Sequence, residues 1–85
     1  MLTEYIQAAM AKARYEPLDE GEGYFGEIPG LDGLWANAGT LEECRTELQG
    51  ALESWILVGV WFHHEIPVID GIDLNVKPEQ EQEVA

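Results

Sequence analysis

Eighty-five residues make one domain near the small end of what folds alone, and an apolar fraction of 46% with three Trp argues against disorder. Seventeen carboxylates against Lys12, Arg14, Arg45 and Lys77 leave a net charge of −13, so clustered cations for phosphate binding cannot be assembled and direct nucleic-acid binding is not expected. No apolar run reaches the roughly 20 residues that span a bilayer, and Met1-Leu2-Thr3-Glu4 lacks the layout of a signal peptide, so a soluble cytoplasmic protein is expected.

Thr3 to Ala13 places Leu2, Ile6, Ala9, Met10 and Ala13 at helical spacing, with Thr3 as the expected N-cap and Lys12 and Arg14 suited to the last turn. Arg14 to Leu18 is extended, and Pro17 confines it to an edge. The acidic, glycine-bearing Asp19–Gly23 is a turn, Tyr24–Ile28 a strand, and Leu34–Ala38 a third strand after the Pro29-Gly30 and Asp32-Gly33 breaks. Short strands joined by tight turns predict an antiparallel meander.

Thr40-Leu41-Glu42-Glu43 has the form of a capping box and opens the longest helix. Leu41, Cys44, Leu48, Ala51, Leu52, Trp55, Gly59 and Phe62 step along one face, with acids opposite. From Trp55 to Phe62 no residue is polar, and a helix apolar all round needs cover on more than one side. One small core covers one side, so Leu57, Val58 and Trp61 are expected to meet a second copy, in a dimer or a larger homo-oligomer. The competing expectation is that the C-terminal segment folds back over them. Ile66–Ile69 is extended, Asp70-Gly71 is a turn, and Ile72–Val76 alternates as a last short strand.

The expected class is therefore α+β: an N-terminal helix (1–13), then a core (14–76) with a three-stranded meander, a long helix on the sheet and a short final strand. An acidic tail (77–85) completes a single 1–85 domain.

Candidate chemistry is thin. His63 and His64 point about 100° apart on a helix and cannot readily chelate one ion together, even with Glu65 nearby. Cys44 lies on the apolar stripe of an acidic chain, where a thiol packs rather than reacts. Glu20/Glu22 and Asp70/Asp73 sit in turns, and the chain is too short to wall a sugar-sized cleft between paired carboxylates. No catalytic residue, metal ligand or cofactor is expected. A hydrolase built on clustered carboxylates is the distant alternative.

The aromatics and acids read either as a protein-binding surface or, for the aromatics, as structural cross-strand pairs. Glu20, Glu22, Tyr24, Glu27, Asp32 and Trp35, around the strand turns, are the candidate contact residues, and the charge steers a basic partner toward them.

The run Tyr24-Phe25-Gly26-Glu27-Ile28-Pro29-Gly30-Leu31-Asp32-Gly33, followed by Ala36-Asn37-Ala38-Gly39-Thr40-Leu41-Glu42-Glu43-Cys44, resembles the HicB-like antitoxin family. Ile66-Pro67 stands where that family has an Ile-Pro segment after the helix, so the likeness covers about residues 14–76. The resemblance implies a partial ribonuclease-H-like core without nuclease activity. It also implies a partner, a small basic HicA-like toxin that cleaves messenger RNA and is masked by the antitoxin. Many family members carry a C-terminal DNA-binding domain. This sequence ends in Glu79-Gln80-Glu81-Gln82-Glu83 instead, and DNA binding is not implied. The N-terminal helix lies outside the general family pattern. An orphan oligomeric scaffold or adaptor without a toxin is the alternative function.

Overall fold

A computed structural model describes residues 2–75. It contains helix α1 (Leu2–Ala11), strands β1 (Arg14–Pro17), β2 (Tyr24–Glu27) and β3 (Trp35–Ala38), and helix α2 (Leu41–Trp61), with a single 3-10 turn at Asp19–Gly21. The strands form an antiparallel sheet in the order β1-β2-β3, so both outer strands are edges. This is the α+β arrangement expected from the sequence. The tail 77–85 lies outside the described residues. Among the described residues, no helix is long and apolar enough to cross a membrane.

Sheet polarity follows from the register. Tyr15, Gly26 and Ala36 form one cross-strand row. A Cβ on Gly26 would lie 2.9 Å from the Tyr15 ring and 3.1 Å from Cys44 Sγ, so this row is where α2 lies closest to the sheet. Cys44 is fully buried there and its thiol donates weakly to the Ala36 carbonyl at 3.7 Å.

The start of α2 is set locally. Thr40 is extended, and its hydroxyl oxygen accepts from the Glu43 amide at 3.1 Å. The same hydroxyl donates to the Glu43 carboxylate at 3.0 Å, a closer link between the two side chains than the expected capping box describes. At the other end His63 takes a positive φ of 57°, and the His64 and His63 amides bond back to Gly59 and Val60. That is a Schellman closure with histidine where glycine is usual.

The core joins Leu48, Leu52 and Ile56 of α2 to Ile28, Leu31 and Leu34 of the β2–β3 loop, and to Ile66 and Ile69 beyond the helix. The expected α2 stripe is shifted. Ile56 is buried and Trp55 only half-buried, while Leu41 and Phe62 are exposed, because the stripe drifts round the helix beyond the sheet. In α1 the anchor is Tyr5, fully buried with Ala9, whereas Leu2 is 52% exposed. The helix takes in Leu2 and places Thr3 inside its first turn rather than at the cap, and it ends at Ala11 rather than Ala13.

The C-terminal segment closes the core without a regular ladder. Ile69 and Ile72 form an isolated bridge around Asp70 (φ 49°) and Gly71 (φ 77°). Two positive φ values in succession are the mark of a two-residue type I′ turn. Pro67 has no amide hydrogen to extend a ladder. Instead the Asn75 carboxamide accepts from the Ile66 amide at 2.7 Å and donates to the Ile66 carbonyl at 2.9 Å. A side chain thus takes the place of the pairing expected from Ile72–Val76, of which Val76 lies outside the described residues. Tyr5 donates to the Pro67 carbonyl at 2.6 Å, and Lys12 pairs with Asp70 at 3.0 Å, so α1 is tied to this segment twice.

Burial pushes the Tyr5 and Tyr15 hydroxyls above their ordinary 10.0 and the Cys44 thiol above 9.0, with Arg45 pulling Tyr15 back by less. The folded chain therefore holds protons that the unfolded chain releases. The stability this contributes is complete below pH 9, where these groups stay protonated in both states, and is lost as pH rises past 10 through the folded values. A melting temperature that is level from pH 7 to 8.5 and drops above pH 10 is the expected result of a calorimetric series.

Candidate functional site: the helix-free face of the sheet

Helix α2 covers one face of the sheet, and α1 packs against α2 rather than across the other face. The second face is built of two cross-strand rows. Arg14, Glu27 and Trp35 form the first, and Glu16, Phe25 and Asn37 the second. Phe25 is half-buried and the other five are exposed. The Phe25 and Trp35 rings stack across the diagonal, with centroids 6.1 Å apart and planes 24° from parallel. Trp35 is 55% exposed, so the stack presents an aromatic surface to solvent, with Glu16 across from Phe25 and Glu27 across from Trp35.

Of the six contact residues expected from the sequence, the structure brings three together. Glu27, Asp32 and Trp35 lie at the end of the sheet that carries the β2–β3 loop. Glu20, Glu22 and Tyr24 lie at the opposite end, next to the β1–β2 connection. Tyr24 also shares the parity of Gly26 and Ala36, which places it on the α2 side of the sheet. Phe25, which was not among the expected contact residues, is the aromatic that lies beside Trp35. Alternation makes neighbours in a strand face opposite ways but does not say which parity the helix covers. The usable signal was size: Gly26 and Ala36 are the small residues that a close helix requires.

Leu57, Val58 and Trp61 are exposed, as a position off the domain core requires. The described C-terminal segment does not cover them. It packs through Ile66 against Gly59, where a Cβ would lie 3.5 Å from the Ile66 side chain. A groove of about 550 Å³ runs between this half of α2 and the start of β3.

The other candidates are engaged structurally. Asp70 pairs with Lys12, and Asp73 accepts from the Asn75 amide and carboxamide at 2.9 and 2.8 Å. His64 stacks on Phe62 with centroids 6.0 Å apart. Among the described residues, no group of three His, Cys, Asp or Glu is placed to hold a metal ion.

Comparison with known proteins agrees with this geometry. The UPF0150-like family model matches residues 4–67, from α1 to the segment after α2. A solved crystal structure, that of TTHA0281 from Thermus thermophilus, is 41% identical over 89% of this chain and 94% of its own, with a TM-score of 0.82. No curated protein matches the chain. The family match spans most of the sequence, including every element that shapes the helix-free face, and the chain belongs to the UPF0150-like family.

Proposed function

We propose that this chain is a non-catalytic, cytoplasmic binding module of the antitoxin type, which masks a small basic HicA-like toxin. The observation that carries the reading is the helix-free face, where Glu16 neighbours Phe25 and Glu27 neighbours Trp35 across the strands of the aromatic stack. An arginine-bearing surface fits such a face. Guanidinium groups stack on aromatic rings and pair bidentately with carboxylates. The net charge of −13 draws a basic partner in from a distance, and such a partner competes with Arg14, which lies directly across from Glu27. The likeness of the Tyr24–Cys44 stretch to HicB-like antitoxins supports the same partner class.

The test is a titration of the full chain with a small basic HicA-like ribonuclease. Binding with loss of RNA cleavage is the expected result. Glu27→Lys, an exposed change on the face, is expected to weaken binding by about tenfold or more at low salt, with the gap closing as salt screens it. No binding at low ionic strength, or a Glu27→Lys chain that binds and inhibits like the wild type, would sink the reading.

A further inference from the structure

The last turns of α2 form a second unusual surface. Leu57, Val58, Val60, Trp61 and Phe62 are all exposed, Trp61 at 74%. Helix length explains this. A 21-residue helix is about 31 Å long, whereas strands of four residues reach about 13 Å, so α2 outruns the sheet that supports it. Beside the overhang lies the groove, walled mainly by Leu34, Trp35, Trp55, Val58 and Ile66, with Glu65 also in its lining. One end of the molecule thus carries both a projecting apolar knob and an apolar recess.

We propose that a second copy of the chain covers this end, with Trp61 of each copy set against the groove of the other. A two-fold contact requires a patch to meet itself, and a knob beside a recess satisfies that requirement reciprocally. Charge selects both the place and the occupant. At −13, two copies repel over most of their surfaces. Ser54 to His64 contains no Asp, Glu, Lys or Arg, and Glu65 is the one carboxylate in the groove's lining, so like chains meet here with little of that opposition. A basic partner is drawn to the carboxylates and finds only Glu65 to pair with at this end. Residues 76–85 are a poor cover, with three Glu and little apolar side chain to offer two indole or phenyl rings. Size is adequate. Aromatic side chains bury roughly 150–250 Å² each. Trp61 and Phe62 from both copies, with the groove walls opposite, approach the roughly 1,000 Å² of a stable interface.

Light scattering of the full chain at micromolar concentration tests this. The expected mass is a multiple of the 9.5 kDa chain, falling by half or more in Trp61→Glu while the helical circular dichroism is kept. A wild-type mass of one chain overturns the proposal, whether residues 76–85 or an unlike protein then covers the end. A folded Trp61→Glu chain of unchanged mass overturns it equally. Should Trp61→Glu lose its helical signal, Leu57→Lys, at a position 64% exposed, is read the same way. Trp35 borders both surfaces, so the two results are separated at Glu16→Lys, on β1 away from the groove, which is expected to weaken binding of the basic partner and keep the wild-type mass.

Discussion

Tyr5→Ala is expected to remove most of the folding stability. Tyr5 is fully buried between α2 and the C-terminal segment, and its hydroxyl donates to the Pro67 carbonyl at 2.6 Å. Truncating a buried aromatic side chain costs about 3–5 kcal/mol through lost burial and the cavity left behind. The orphaned Pro67 carbonyl adds about 1 kcal/mol or more unless water reaches it. An 85-residue domain has a total of roughly 4–13 kcal/mol, so the variant is expected to be largely unfolded at moderate urea. Tyr5→Phe separates the two contributions. It keeps the ring and loses the hydrogen bond, for an expected cost of about 1 kcal/mol. Urea denaturation at fixed protein concentration measures both, the concentration held because self-association shifts the midpoint. A Tyr5→Ala midpoint within error of the wild type would show that α1 is not docked through this ring.

Gly23→Ala is expected to cost nearly as much, for a backbone reason. Gly23 has φ of 118°, and a Cβ there would lie 2.3 Å from the Ala38 carbonyl oxygen and 3.1 Å from its carbon. The obstacle is main chain, so no rotamer change relieves it. Gly23 must move away from Ala38, which pulls the start of β2 off the end of β3. The register Tyr24↔Ala38 begins at the next residue, so the sheet frays from this corner. Gly21 is the internal control. Its φ of 74° also disfavours a side chain, but nothing lies within 4 Å of a Cβ there. Gly21→Ala is expected to cost about 1 kcal/mol, from the backbone conformation alone. Gly23→Ala should cost about 3 kcal/mol, a backbone penalty of the same kind plus the clash. Equal midpoints for the two variants would mean that the β1–β2 connection swings clear of β3 without cost.

How much of this was legible from sequence depends on the range of the interaction. The start of α2 was readable because Thr40 and Glu43 lie three residues apart and need nothing else to bond. The Asp70-Gly71 turn and the three strands were readable for the same reason, as local turn chemistry and alternation. The face of the binding site was not. Tyr24 and Phe25 are adjacent aromatics of equal strand propensity, and only the seat of α2 on Gly26 and Ala36 decides that Phe25 joins Trp35. Glu20 and Glu22 were grouped with Glu27 because they are near in sequence. The meander places them at opposite ends of a strand, about 10 Å apart along it. Tyr5 was passed over because its spacing fits the α1 stripe less well than Leu2 or Ile6. Its burial depends on Pro67, sixty-two residues away, which no window along the chain contains.

By itself the sequence determined the α+β class, the order of elements, the capped start of the long helix, the acidic field and the uncharged apolar stretch from Ser54 to His64. Each follows from composition or from contacts within a few residues. Only the tertiary structure decided which sheet face stays open, that Phe25 and Trp35 stack upon it, and that α2 runs past its sheet to leave Leu57, Val58 and Trp61 in solvent. Those outcomes turn on the relative lengths and close approach of elements distant along the chain. Steric fit between small residues on a strand and a thiol on a helix settles them, and a local pattern carries no record of that fit.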